Sequence, residues 1–219
     1  MISLTFENLK ERQRKGRNAR PRGVDIRIHR ALSWLQAAEG AGDTEEAFIF
    51  LWIAFNAIYA REFDPGSELS EKDAFKDFLH QLIRLDAEGM LYDVIWHNYS
   101  GKIRLFIDNQ YVSRHFWSHQ NGLLTEAEWE KGFESSKRAA QRALAKKDTF
   151  VFSSILFDRL YMLRNQLFHG GATWHGKINR AQIRDGARIL QSMIPVIIHL
   201  VLENPNESWG EPCFPPLQE

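Results

Sequence analysis

Apolar side chains recur every three or four positions along almost the whole chain, and no segment shows the sustained alternation of a strand. That periodicity restricts the fold to packed helices. A first helix is expected over 24–39, with Ile28, Ala31, Leu35 and Ala38 on one face and Gly40-Ala41-Gly42 ending it. Asp43 and Glu46 have the spacing of a capping box, which opens a helix over 44–61. In it Phe48, Leu51, Trp52, Phe55, Ile58 and Tyr59 follow the i, i+3, i+4 rule, while Ile49, Phe50 and Ile53 fill other faces. A helix apolar nearly all round belongs at the centre of a fold.

Asp64-Pro65-Gly66-Ser67 reads as a turn, and Ser70 as the cap of a helix to about 85 that buries Phe75, Phe78, Leu79 and Leu82. The aromatic stretch 90–117 divides into one or two shorter helices broken near Ser100-Gly101. Thr125 and Glu128 repeat the capping pattern for a helix to about Lys147. A helix over 149–169 ends at Gly170-Gly171, and a last one over 177–203 contains Pro195, which removes one intrahelical donor. The tail 204–219 is proline-rich and reads as irregular. The expectation is an all-α, single-domain helical bundle over 24–203, enlarged by an insertion over 64–147.

Composition narrows the function classes. With 44% hydrophobic and 26% charged residues, the chain matches a soluble globular protein, and at 219 residues it needs neither disulfide nor metal to hold a core. Cys213 is the single cysteine, which excludes an intrachain disulfide and a multi-thiolate zinc site. The apolar run Phe48–Ala60, interrupted by Asn56, falls short of the roughly 20 residues of a membrane span. The N-terminus places apolar residues before basic ones, the reverse of a secretory signal, so a cytoplasmic protein without membrane contact is expected. The 28 basic and 28 acidic residues cancel, leaving no global field to attract nucleic acid. Locally, nine basic residues between Lys10 and Arg30 face only Glu11 and Asp25. Such a run reads first as a solvated arm, here a basic, partly flexible one over 1–23, and secondly as a surface for phosphates.

The segment with the most chemistry is Leu163-Arg164-Asn165-Gln166-Leu167-Phe168-His169-Gly170-Gly171. Spacing alone says little: with 18 arginines and 8 histidines, about two Arg–His pairs at such gaps arise by chance, and three occur. Arg22 with His29 and Arg114 with His119 are the others. Only Arg164 is followed by an amide and sits late on a helix that also supplies core residues. Asn165 and His169 share a helical face, whereas Arg164 lies about 140° from His169 and must reach round on its stem. The helix C-terminus favours an imidazolium. Arginine can neutralise a phosphodiester in a bidentate fashion and histidine can move a proton. A C-capping histidine beside a surface arginine would give the same pattern.

Arg164-Asn165-x-x-x-His169-Gly170-Gly171, taken with Phe50-Leu51-Trp52-Ile53-Ala54-Phe55-Asn56-Ala57-Ile58-Tyr59, resembles the HEPN superfamily (higher eukaryotes and prokaryotes nucleotide-binding), in particular bacterial Apea-like members. The resemblance covers about residues 24–203. It implies an α-helical, metal-independent endoribonuclease without cofactor, a toxin or defence effector, acting on RNA or a nucleotide as a homodimer. It further implies an antitoxin partner of nucleotidyltransferase type. His169 would serve as general acid or base, Arg164 would stabilise the phosphorane charge and Asn165 would orient the phosphate. In such a dimer the two motifs face each other, and the interface is expected to bury Leu163 or Phe168. The alternative is a non-catalytic module of the same type that binds nucleotide, RNA or protein.

Other residues carry weaker signals. Asn56, an amide in an otherwise apolar helix, needs a hydrogen bond if buried, either to backbone or in support of Arg164 and Asn165. Arg180, Arg184 and Arg188 form a basic stripe that is either solvated or lines an RNA groove. His115 and His119 have ligand spacing but lack a third ligand, so no metal site is expected. Trp96, Trp117, Trp129 and Trp174 read as core or interface in preference to base-stacking platforms.

Overall fold

The computed structural model describes residues 4–60, 71–177 and 179–214, without the side chains of 71–73 and 98–100. The Asp64–Ser67 turn and the Ser70 cap lie outside the described residues. Ten α-helices follow one another: α1 Phe6–Lys15, α2 Arg22–Glu39, α3 Thr44–Tyr59, α4 Glu71–Leu85, α5 Met90–Asn98, α6 Arg104–Ile107, α7 Arg114–Gln120, α8 Glu126–Ala145, α9 Thr149–Phe168 and α10 Arg180–Glu203. No strand occurs among the described residues. The protein is all-α.

Local chemistry sets the helix ends. Asp43 accepts the Glu46 N–H at 2.8 Å, while the Glu46 carboxylate reaches back to the Gly42 N–H at 2.9 Å, one residue earlier than a strict capping box. At α8 the box is complete, with Thr125 and Glu128 exchanging bonds. Asp148 caps α9 by accepting the Val151 N–H. The break expected near Ser100 is a π-helical segment over Tyr99–Ile103, after which α6 is a single turn.

The chain divides into two compact units that do not follow the expected insertion boundaries: Met1–Met90 with Leu190–Glu219, and Leu91–Ile189. Thus α4 belongs to the first unit, although it lies inside 64–147, and α9 belongs to the second together with α5–α8. Apolar periodicity marks which face of a helix is buried but not which helices share a core.

In the first unit α2 packs on α3. Leu32, Leu35, Phe48, Phe55, Ile58, Leu79 and Leu82 are buried, and the Phe55 ring packs tilted against Tyr59 at 4.7 Å between ring centres. Where the charge run led to an arm over 1–23, its described part holds α1, with Leu9 fully buried. Several cations of that run are engaged. Arg20 donates to the Gln13 and Arg12 carbonyls at the end of α1, Arg12 reaches His199 and Glu203, and Lys10 reaches His29. Arg27 is 1% exposed and donates to four carbonyls, those of Ile58, Ala60, Gly210 and Glu211. Burying a guanidinium costs least when its donors are satisfied in this way. Arg27 thereby clamps the end of α3 to the segment after α10.

In the second unit α7 and α9 pack on α8. Its buried apolar side chains include Phe106, Ile107, Phe133, Leu144, Leu156, Leu160 and Leu163. One described helix, α10, is long and apolar enough to cross a membrane, and 78% of that stretch is buried within the protein.

Candidate functional site

α9 carries the Arg164–His169 motif on its last turn and a half. Its first part is anchored by Phe152, Leu156, Phe157, Leu160 and Leu163, all buried, so the chain beyond Leu163 emerges from a fixed support. Arg164 is half-buried. It donates from Nη1 to Asn165 Oδ1 at 3.0 Å, its guanidinium lies 4.5 Å from the Phe168 ring centre and 6.0 Å from that of Tyr161, and its buried Nε has no partner among the described residues. The cation is therefore held by an amide and two aromatic faces, with no carboxylate within salt-bridge distance among the described residues. An arginine held that way keeps donors available for an incoming anion.

His169 occupies the C-cap position. Its N–H bonds back to the Asn165 carbonyl at 3.0 Å, and its side chain is exposed. Gly170 follows with φ +72°, the left-handed conformation that glycine adopts without a Cβ penalty, and Gly171 N–H closes on the Gln166 carbonyl at 2.7 Å. The structure thus brings the Arg164 and Asn165 side chains into direct contact, while His169 meets Asn165 through its backbone N–H. No hydrogen bond joins Arg164 to His169 among the described residues.

Gln166 is the residue that sequence reasoning passed over. Its Nε2 donates to the Tyr111 carbonyl at 2.6 Å and its Oε1 accepts from Asn179 Nδ2 at 3.1 Å. The Tyr111 carbonyl also receives the Trp117 indole N–H at 2.6 Å. One amide thus ties together the Gln110–Val112 turn, the end of α9 and the start of α10. No local sequence signal marks it, because its partners lie far away in the chain.

The other candidates separate. Asn56 is in the first unit and half-buried on α3, so the hydrogen bond required of a fully buried amide is not demanded of it, and its backbone carbonyl accepts the Ala60 N–H. Arg180, Arg184 and Arg188 are all exposed on α10, and Arg184 Nε reaches Asp185 at 3.5 Å. His119 Nδ1 bonds the Leu124 carbonyl at 2.9 Å, and the His115 ring packs so closely on Gly132 that a Cβ there would lie 2.4 Å from it. Burial, then the nearby Arg159 and Arg114, pushes the His115 pKa down. These two histidines serve packing within α7 and α8.

Leu163 is fully buried within the chain itself and is not available to a second copy, whereas Phe168 is 46% exposed. The tryptophans divide as well. Trp117 and Trp129 pack against Phe116, but Trp96 is 53% and Trp174 is 75% exposed, so neither of the latter is a core residue. Compared with known proteins, the chain matches no family model, no curated protein and no solved structure.

Proposed function

We propose that the chain is a metal-independent endoribonuclease of the HEPN type, acting through Arg164, Asn165 and His169. The observation that carries the reading is the posture of Arg164, a half-buried cation stacked on Phe168 and steadied by Asn165, free of carboxylates among the described residues and five residues before an exposed histidine. Phosphate recognition needs that electrostatic opening, and acid–base chemistry needs that imidazole.

In the proposed reaction the ribose 2′-hydroxyl attacks the neighbouring phosphorus as its proton passes to a base. Arg164 stabilises the charge on the non-bridging oxygens. The 5′-oxygen leaves with a proton from an acid, giving a 2′,3′-cyclic phosphate and a 5′-hydroxyl. Two proton-transfer groups are required and each chain supplies one in the motif, so the proposal includes a two-fold dimer that contributes both His169 side chains. With Leu163 buried, Phe168 is the apolar residue left to meet the second copy. A toxin or defence role, with a nucleotidyltransferase-like antitoxin, follows from the HEPN resemblance.

The lack of a hydrogen bond between Arg164 and His169 among the described residues favours a second reading, a non-catalytic module that binds nucleotide, RNA or protein at the same surface. Incubating a mixed RNA pool in EDTA with wild type and with His169→Ala decides between them. The proposal expects cleavage that falls by about 100-fold or more in the variant. Equal activity in both, or none from folded wild type, removes the enzymatic reading.

A further inference from the structure

Between Arg159 and Arg184 the sequence carries Arg159, Arg164, Lys177, Arg180 and Arg184 and not one Asp or Glu, in a chain whose basic and acidic residues are equal in number. Lys177, Arg180 and Arg184 are exposed. Three large aromatic side chains are exposed beside this cationic stretch: Phe168 at 46%, Tyr111 at 43% and Trp174 at 75%. Gln166 explains why they stay together. It bonds the Tyr111 carbonyl directly, Phe168 is two residues further on, and the loop holding Trp174 is fixed at both ends, through Gly171 N–H to the Gln166 carbonyl and Asn179 to the Gln166 side chain. Trp174 is three positions after Gly171, so its Cα lies within about 11 Å of that pin.

We propose that this rim binds single-stranded nucleic acid, with Tyr111 and Trp174 stacking unpaired bases while Arg164, Lys177 and Arg180 follow the phosphates. Flat exposed rings in the same stretch as cations suit a polymer that offers a base face and a charge at every repeat. A duplex keeps its base faces in its own stack and presents only edges and backbone, so the rings select against it. The stretch is flanked by Asp158 and by Asp185, which faces Arg184 at 3.5 Å, but between them no acidic residue opposes Arg164, Lys177 and Arg180, which fits a polyanion. The inference rests on the RNA reading above for the scissile strand, and adds the structural class of substrate and the residues that select it.

The test is fluorescence anisotropy with the full chain and a labelled 2′-O-methyl RNA of about 12 nucleotides. Lacking the attacking hydroxyl, this probe stays intact, so binding is read independently of cleavage. The single strand should bind at least about tenfold more tightly than its duplex, and Tyr111→Ala and Trp174→Ala should each weaken it about fivefold or more, with Trp174→Phe close to wild type. Lys177→Gln with Arg180→Gln should flatten the salt dependence while the thermal midpoint stays put. Wild type that leaves the strand unbound, as a protein-docking surface would, overturns the proposal. So does equal binding of duplex and strand, or wild-type affinity in both alanine variants. A chain that binds the strand but cuts no RNA would end the ribonuclease reading and leave this one standing.

Discussion

Each compact unit buries an arginine, and the two are buried on different terms. Arg27 in the first unit satisfies four carbonyls drawn from α3 and from the segment after α10. Arg159 in the second unit is 4% exposed, yet among the described residues its one hydrogen bond is to the Ser136 hydroxyl at 3.3 Å, with the Phe133 ring at 5.1 Å. Burial pulls its pKa down to about 10, against the opposing pull of Asp158 and Asp108. Equal burial therefore does not mean equal contribution. The first unit uses its buried cation as a fastener, and the second carries one that contributes little to holding it together.

Substitution of the two arginines tests that difference most directly. Arg27→Ala should lower the unfolding free energy by about 3–5 kcal/mol, because four carbonyls lose their donor, and Arg27→Lys should recover only part of it. Urea unfolding measures both. Arg159→Met, which replaces a poorly satisfied cation by an apolar chain of similar length, should leave stability within about 1 kcal/mol of wild type or raise it. Similar large losses at both positions would erase the contrast.

Acidification should weaken the first unit through α1. His199 Nδ1 faces Arg12 Nη1 at 2.8 Å and His29 Nδ1 faces Lys10 Nζ at 3.1 Å, so each imidazole accepts from a cation and must be neutral to do so. Burial and then those cations push both pKa values below the usual histidine value, with Glu203, Glu88 and Asp86 opposing at His199 and Asp25 at His29. A depressed folded-state pKa means that the stabilisation is complete above the unfolded value of about 6.5 and is lost as pH falls through the folded values. The urea midpoint should therefore drop between pH 7.5 and pH 5, and the drop should shrink in His199→Gln with His29→Asn. A pH-independent midpoint in wild type would show that these bonds hold nothing.

The smallest effect is expected at Phe168. Its partial exposure predicts a stability change within about 0.5 kcal/mol for Phe168→Ala. Cleavage should fall about threefold, because Arg164 loses the ring that holds it, and Phe168→Tyr should restore the rate.

Much of the helical plan was legible because capping and periodicity are local. Thr125 with Glu128 opens α8 as read, and Gly170 ends α9 as read. α1 escaped because only Leu9 and Gln13 are buried among its largely charged residues. Arg27 was counted with a solvated run although it lies three residues after Val24 and four before Ala31, on the stripe that α2 buries, and that spacing was the available signal. At the site, the Arg164–Asn165 contact joins neighbours and follows from adjacency. The Gln166 bonds to Tyr111 and Asn179 depend on which helices share a unit, which helical periodicity does not encode.

The division of the chain also orders events in time. The first unit is interrupted by the whole of the second, and its Arg12–Glu203 contact spans 191 positions, whereas the Gln166–Tyr111 bond within the second spans 55. Short closures are reached before long ones. On a ribosome, every residue of Leu91–Ile189 has been polymerised before the second half of the first unit exists. The segment bearing Arg164 and His169 thus depends on the shorter closures of its own unit, whereas the first unit cannot complete its core before Leu190–Glu219 has joined it.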